Sequence, residues 1–171
     1  MCETPDCWDL LADKMIGWMD PNTAPSDRII IAEQYRSAAE YLRKSLPPSQ
    51  ERQVAIRKLL ESYTWAMRTE LGDRIFFGYR PQDLSAASQL QSIQFWIAEF
   101  SEVDACRDIG HRYYRLDAGM ASRFRSPDGA ITFERVQAAR LLLESRDAAV
   151  RACLEMLAEQ QKQELRVVSQ S

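Results

Sequence analysis

The stretch ERQVAIRKLLESYTWAMR at 51–68 decides the fold, because a second version of it, ERVQAARLLLESRDAAVR, follows at 134–151. Aligned without a gap, the two stretches are identical at ten of eighteen positions. The identical pairs are Glu51/Glu134, Arg52/Arg135, Ala55/Ala138, Arg57/Arg140, Leu59/Leu142, Leu60/Leu143, Glu61/Glu144, Ser62/Ser145, Ala66/Ala149 and Arg68/Arg151. An internal repeat defines the structural unit of a fold. Coincidence between two amphipathic helices is the alternative, since Leu, Glu, Ala and Arg all favour helix. We favour duplication because the match needs no gap.

Helix signals surround both copies. Ser49 and Thr132 precede them at equivalent places, each with a hydroxyl suited to an N-cap. Apolar periodicity predicts six helices, at roughly 7–19, 26–46, 49–71, 84–100, 102–124 and 133–164. The sequence allows a break near Gly110, RIFFGY at 74–79 is its one strand-like stretch, and the polar tail 166–171 is expected to fray. Within the repeat, the spacing predicts the i,i+4 ion pairs Arg57–Glu61 and Arg140–Glu144.

Three of these helices carry a clear apolar face. The faces are Ile31, Tyr35, Ala38, Leu42 and Leu46; then Ile56, Leu59, Leu60, Tyr63 and Met67; then Val136, Ala139, Leu143, Val150, Cys153 and Leu157. They form two helix–turn–helix units, 26–70 and 102–164, and such a hairpin cannot bury its apolar face alone. We therefore predict an all-α helical bundle built from two antiparallel helix-hairpin repeats. Residues 1–80 would hold an N-terminal helix and the first hairpin, and 81–171 a linker helix and a second, diverged hairpin.

Composition limits the classes of partner. The 171 residues contain no apolar run of about eighteen, which disfavours a membrane span. The first residues lack the basic start and apolar middle of a signal peptide, so we expect a cytoplasmic protein. A net charge of −3 disfavours long nucleic acids. Residues 24–80 nevertheless hold ten basic against seven acidic residues, which makes this segment the best place for a small anion.

The cysteines and the single histidine are the candidates for a metal site. Cys2, Cys7, Cys106 and His111 allow a four-ligand zinc site to be drawn. Zinc ligands usually have tighter spacing, and positions five apart diverge on a helix. We therefore predict no metal and no cofactor, with Cys153 as a small buried residue and His111 as an ordinary polar histidine. The chain has no nucleotide-binding glycine motif, zinc-protease motif or serine-hydrolase motif, so we expect no enzyme.

The first hairpin resembles a known family. Its stretch PSQERQVAIRKLLESYTWAM, Pro48–Met67, is similar to the second helix of the hairpin domain in phage anti-CBASS and anti-Thoeris cyclic-nucleotide sponges. The matching positions are Pro48, Ser49, Glu51, Arg52, Ala55, Ile56, Leu59, Trp65 and Ala66. Upstream, the family has an aromatic residue three positions before a proline, and Trp18 precedes Pro21 in the same way. The likeness covers about 16–70, and the second half of the chain has no counterpart in it.

This resemblance implies a helical homo-oligomer of a host bacterium's cytoplasm that sequesters cyclic oligonucleotide immune signals without cleaving them. Arg or Lys would contact the phosphates and aromatic rings the bases. The implied ligand contacts are Trp18, Arg28, Tyr35 and Arg36. The family's basic position falls at Ala32, and Arg28 and Arg36 each lie one turn from it.

Each of these residues also has a structural interpretation. Trp18 and Tyr35 could be packing residues, and Arg28 and Arg36 solvated charges. The alternative functions are a helical protein-interaction module, such as an inhibitor of a host protein, and a small enzyme or metal site built on Cys106 and His111. Trp65 is expected to stabilise the hairpin rather than to contact ligand.

Overall fold

The computed structural model describes residues 26–71, 104–123 and 133–170. Those residues form four helices: α1 (Ser26–Ser45), α2 (Gln50–Leu71), α3 (Asp104–Arg123) and α4 (Phe133–Gln170). No strand occurs within these three ranges, so the described chain is an all-α helical bundle, as predicted. The predicted helices at 7–19 and 84–100 and the strand-like stretch 74–79 lie outside the described residues.

The α1–α2 turn follows the signals in the sequence. Helix α1 ends at Ser45, because a residue that precedes a proline is pushed out of the helical region and Pro47 and Pro48 follow. Ser49 then caps α2: its Oγ accepts a hydrogen bond from the backbone N–H of Arg52 at 3.1 Å. This N-cap was predicted and is confirmed, whereas its counterpart Thr132 lies outside the described residues.

Helices α3 and α4 are more continuous than the sequence indicated. Helix α3 passes through Gly110 without the break that the sequence allows there. Helix α4 reaches Gln170, so the predicted fraying from Arg166 is wrong. The physical reason is composition, because residues 155–170 contain no Gly or Pro, and seven of the sixteen are Glu or Gln, which favour helix.

The centre of the bundle is the antiparallel contact between α2 and α4, the helices that carry the repeat. Ser62 Oγ on α2 donates to the Ala138 carbonyl oxygen at 2.7 Å, and Ser145 Oγ on α4 donates to the Ala55 carbonyl oxygen at 2.6 Å. Both alanines are fully buried, and their small side chains let the two backbones approach closely enough for these bonds. The two copies of the repeat therefore face each other across a pseudo-twofold axis.

Ion pairs fix the edges of the same contact. Lys58 on α2 reaches Glu144 on α4 at 2.9 Å, and Arg151 on α4 reaches Glu51 on α2 at 2.9 Å. The two predicted pairs within helices are also present: Arg57–Glu61 at 3.9 Å and Arg140–Glu144 at 2.6 Å. All of these side chains are partly exposed, so each pair contributes about 0–1 kcal/mol. The two pairs that join α2 to α4 help to set the register between these helices.

The outer helices α1 and α3 repeat each other in structure although their sequences hardly match. Both have 20 residues. The Tyr35 hydroxyl lies 2.7 Å from Ser62 Oγ, and the Tyr113 hydroxyl lies 2.6 Å from Ser145 Oγ. Aligned on these tyrosines, the helices bury the same positions: Ile31, Tyr35, Ala38, Ala39 and Leu42 in α1, and Ile109, Tyr113, Leu116, Asp117 and Met120 in α3.

The predicted apolar faces are confirmed for the first hairpin and partly wrong for α4. All five positions of the first predicted face are buried, including Leu46, which follows the end of α1. The α2 positions are buried too, apart from Met67, which is partly buried against the core. On α4, Val136 and Leu143 are only partly buried. Helix α4 packs on both α2 and α3 and therefore buries two sides. Its buried residues are Arg135, Ala138, Ala139, Leu141, Leu142, Ser145, Arg146, Ala148, Ala149, Val150, Ala152 and Cys153.

Candidate functional site

The candidate ligand contacts fall on α1, with one exception. Trp18 lies outside the described residues. Arg28 stands near the start of α1 and donates from its guanidinium to the Met67 carbonyl oxygen near the end of α2, at 2.8 Å. This bond holds the Arg28 guanidinium against the open end of the first hairpin.

Tyr35 belongs to the interior. Its side chain has no exposed surface, and its hydroxyl approaches Ser62 Oγ at 2.7 Å and Met120 Sδ at 3.4 Å. Burial raises the pKa of the Tyr35 phenol well above its usual value, although the Ser62 hydrogen bond opposes the shift. The packing interpretation of Tyr35 is therefore confirmed within a single chain.

The aromatic residue beside the arginines is Tyr63. Its ring meets the Tyr35 ring edge to face, with 5.4 Å between centroids. Burial raises the pKa of Tyr63, and the positive charges of Arg28 and Arg36 act against that rise. Arg36 is 38% exposed and pairs with the more exposed Glu33 at 3.6 Å. Two guanidinium groups thus act electrostatically on one buried tyrosine of the first hairpin.

Sequence reasoning placed Tyr63 only in the apolar face of α2. The available signal was the antiparallel hairpin itself, which brings the second half of α2 alongside the first half of α1. We call Arg28, Arg36 and Tyr63 the arginine–tyrosine cluster.

The second hairpin does not repeat this cluster. Alignment of Tyr35 with Tyr113 sets Cys106 against Arg28 and Tyr114 against Arg36. The repeat itself sets Arg146 against Tyr63. Cys106 is fully buried, and Arg146 pairs with Asp147 at 2.5 Å. The cluster is therefore a feature of the first hairpin only.

No family model, curated protein or solved structure matches this chain. The candidate site is therefore defined by the chain's own residues and by the sequence pattern of the first hairpin.

Two buried arginines of the repeat have structural roles. Arg52 donates to the Leu46 carbonyl oxygen at 2.9 Å and to the Arg43 carbonyl oxygen at 3.4 Å, which satisfies the end of α1. Its repeat partner Arg135 donates to the Asp117 carbonyl oxygen at 3.0 Å and to the Asp117 carboxylate at 2.5 Å. The Asp117 side chain is 1% exposed, and its Oδ2 atom meets no hydrogen-bond donor among the described residues.

The two described cysteines are buried, whereas the histidine is exposed. Cys106 Sγ lies 3.7 Å from Cys153 Sγ, and neither residue has exposed surface, as expected for Cys153. Burial and the neighbouring Cys106 thiol raise the pKa of Cys153 to about 12. His111 is exposed on the same helix as Cys106, while Cys2 and Cys7 lie outside the described residues. Within the described ranges, His, Cys, Asp and Glu side chains do not gather in groups of three that could hold a metal ion.

Two further findings concern the surface. The Trp65 ring meets the Phe133 ring edge to face at 5.6 Å, and the Arg68 guanidinium lies 4.9 Å from the Trp65 centroid. Trp65 therefore joins α2 to the start of α4, so this ring contact lies between the two hairpins and not within the first hairpin, where its role was predicted. Among the helices described, none is both long and apolar enough to cross a bilayer.

Proposed function

We propose that the chain is a non-catalytic sponge that binds and sequesters cyclic oligonucleotide immune signals, as phage counter-defence proteins do. The observation that supports this proposal most directly is the arginine–tyrosine cluster, because it lies within the stretch that resembles the sponge family. Two cations on one hairpin surface, beside a buried tyrosine of α2, suit the phosphates of such a ligand.

The two arginines would have different tasks. Arg28 is held by the Met67 carbonyl oxygen at 2.8 Å, so its guanidinium is already positioned when a phosphate arrives. Arg36 is paired at 3.6 Å with Glu33, whose side chain is 59% exposed. An exposed pair of this kind contributes about 0–1 kcal/mol, so a phosphate can compete for the Arg36 guanidinium.

The site would be completed by a second protomer. Tyr63 is 6% exposed, so it offers no open face on which a base could stack. A homo-oligomer with pockets between protomers would supply further surface for the bases. Because the second hairpin carries Cys106 and Tyr114 in place of the arginines, each chain would contribute one such surface.

A thermal-shift titration with cyclic dinucleotides, cyclic trinucleotides and cyclic ADP-ribose isomers tests this proposal. Ligand at one hundred times Kd adds about 2.7 kcal/mol to the free energy of unfolding, which raises Tm by several degrees. We expect Arg28→Ala and Arg36→Ala to abolish the shift, each measured against its own ligand-free Tm. The matched control is Arg115→Ala, which removes an exposed arginine of α3.

Recovery of the ligand separates a sponge from an enzyme. After denaturation of the complex, chromatography should return the cyclic nucleotide unchanged and in stoichiometric amount. A shortened or linear product would contradict the proposal.

A second candidate is a helical protein-interaction module. The observation that favours it is the exposed apolar surface at the end of α4, where Leu165 and Val168 are 70% and 72% exposed. Such residues contribute to partner binding when they form a contiguous patch. A single host protein that is bound stoichiometrically by the wild type and lost in Leu165→Glu would establish this function.

A further inference from the structure

Helix α4 outgrows the repeat to which it belongs. By the repeat, Leu154 of α4 is equivalent to Leu71, the last residue of α2. Helix α4 continues to Gln170. The ion pair of Arg151 with Glu51 at 2.9 Å shows that α2 has only just begun at this level. Residues 155–170, the α4 extension, therefore lie beyond the N-terminal end of α2, which runs antiparallel to α4 and covers its earlier part.

Apolar residues of this region follow one side of the helix. At about 100° per residue, Leu154, Leu157, Leu165 and Val168 fall within an arc of roughly 80°. We call these four residues the terminal stripe. Leu157 is partly buried against the core, and the other three are 41%, 70% and 72% exposed in chain order. Val167 is 69% exposed but points about 120° away from the centre of the stripe.

The spacing of the terminal stripe is symmetric about Gln161. Leu157 and Leu165 stand four residues before and after Gln161, and Leu154 and Val168 stand seven residues before and after it. When an identical helix lies antiparallel with the twofold axis at Gln161, Leu157 comes opposite Leu165 and Leu154 comes opposite Val168. A self-complementary surface of this kind is what a closed twofold dimer requires. We propose that the terminal stripe binds the same stripe of a second copy of this chain, in antiparallel orientation.

The charges of the α4 extension favour the same orientation. Before Gln161, the extension carries Glu155 and Glu159; after it, Lys162 and Arg166 accompany Glu164. An antiparallel pair sets the acidic half of one copy beside the more basic half of the other. A parallel pair would set Glu155 and Glu159 beside their own copies, which is unfavourable.

A second copy fits better than a membrane surface. The extension has three acidic and two basic residues, whereas helices that lie on anionic membranes are rich in Lys and Arg. The chain also already joins two related helices, α2 and α4, in an antiparallel contact. Self-pairing through α4 does not depend on the proposed ligand, so ligand binding and dimer formation can fail independently.

Sedimentation equilibrium of the full chain tests the association. We expect a reversible monomer–dimer equilibrium that Leu165→Glu and Val168→Glu each weaken at least tenfold. The matched control is Val167→Glu, which adds the same charge to an equally exposed neighbour off the stripe. Unfolding followed by circular dichroism should be the same for each monomeric variant as for the wild type, because these residues lie outside the bundle core. A wild-type chain that stays monomeric at all concentrations overturns the proposal, whether or not another protein or a vesicle binds the stripe, and so does equal weakening by Val167→Glu.

Distances between spin labels test the orientation. Single labels are attached at Gln161→Cys and, separately, at Glu155→Cys, in a chain whose Cys2 and Cys7 are replaced by Ser. An antiparallel pair keeps the labels at 161 close together and separates those at 155 by about 18 Å along the axis, since twelve residues at 1.5 Å each intervene. Similar short distances at both positions would mean a parallel pair and overturn the proposed orientation.

Discussion

Ser62 and Ser145 form a reciprocal pair: each donates its hydroxyl to an alanine carbonyl on the opposite helix, and the two alanines occupy equivalent positions of the repeat. The acceptors are Ala138 and Ala55, at 2.7 and 2.6 Å, and all four residues belong to the identical positions of the repeat. Each serine also meets a buried tyrosine, Tyr35 or Tyr113. The repeat thus retains these residues because the same polar contact is made twice in one core.

The reciprocal pair predicts matched losses of stability. Ser62→Ala and Ser145→Ala each remove a buried hydroxyl and the serine partner of a tyrosine hydroxyl, although Tyr35 keeps its weaker contact with Met120 Sδ at 3.4 Å. We expect each to lower the free energy of unfolding by about 1–3 kcal/mol, and the two values to be similar, as measured by urea denaturation. Ser122→Ala, at an exposed serine of α3, is the control and should stay within about 0.5 kcal/mol. A strongly unequal pair of values would show that the pseudo-twofold arrangement is not energetically symmetric.

The buried Arg135–Asp117 pair predicts a second asymmetry. Arg135→Met leaves the Asp117 carboxylate buried without its cation, which costs about 3–5 kcal/mol. Arg52→Met removes bonds to the Leu46 and Arg43 carbonyl oxygens and leaves no buried carboxylate of this kind behind, so we expect a smaller loss of about 1–3 kcal/mol.

The double variant Asp117→Ala, Arg135→Met provides the check. It removes both charges and restores the alanine found at the equivalent position, Ala39. Denaturation should recover more than half of the loss caused by Arg135→Met. No recovery would mean that the carboxylate is not what makes the single variant unstable.

The first hairpin could be predicted from the sequence in detail, because its signals are local. The Ser49 cap, the stop before Pro47 and the apolar face of α1 all depend on neighbours a few residues away. The likeness of α1 to α3 could not be found this way. Only Ile31/Ile109 and Tyr35/Tyr113 are identical between them, so the two helices repeat each other in the positions that they bury and not in their sequences.

The error on α4 has the same origin. A helix covered by two others buries two sides, and a single apolar face such as Val136–Leu143 then predicts the wrong orientation. For the candidate site, Arg28 and Arg36 came from the resemblance of the first hairpin to the sponge family, since each lies one turn from Ala32. The role of Tyr63 required the hairpin, since it is Coulombic influence across two helices that links it to both arginines.

Gly119 predicts a substitution that the bundle should accept. A Cβ atom at Gly119 would lie 2.5 Å from Oε1 of Gln34, the far end of a flexible side chain that can move aside. Replacing Gly by Ala within a helix is worth about 1 kcal/mol in propensity. We expect Gly119→Ala to be neutral or stabilising by up to about 1 kcal/mol in urea denaturation. A clear loss of stability would mean that the position of Gln34 is fixed by the core.

As pH rises, the free energy of unfolding should begin to fall at a lower pH than loss of the surface charges alone would cause. Burial raises the pKa of the Tyr35 and Tyr113 phenols above 10.0 and that of the Cys153 thiol from 9.0 to about 12. These groups keep their protons in the folded chain when the unfolded chain has already lost them. Their contribution to stability is therefore complete below about pH 9 and declines as pH rises from 9 through the folded pKa values.

Urea denaturation at about pH 8 and about pH 11 measures this decline. We expect the wild type to lose stability between the two, and Tyr113→Phe to lose less, because the phenylalanine ring has no proton to release. If Tyr113→Phe keeps the full difference, the Tyr113 phenol is not among the groups that make the bundle sensitive to alkali. The Cys153 thiol and the Tyr35 and Tyr63 phenols would then account for it.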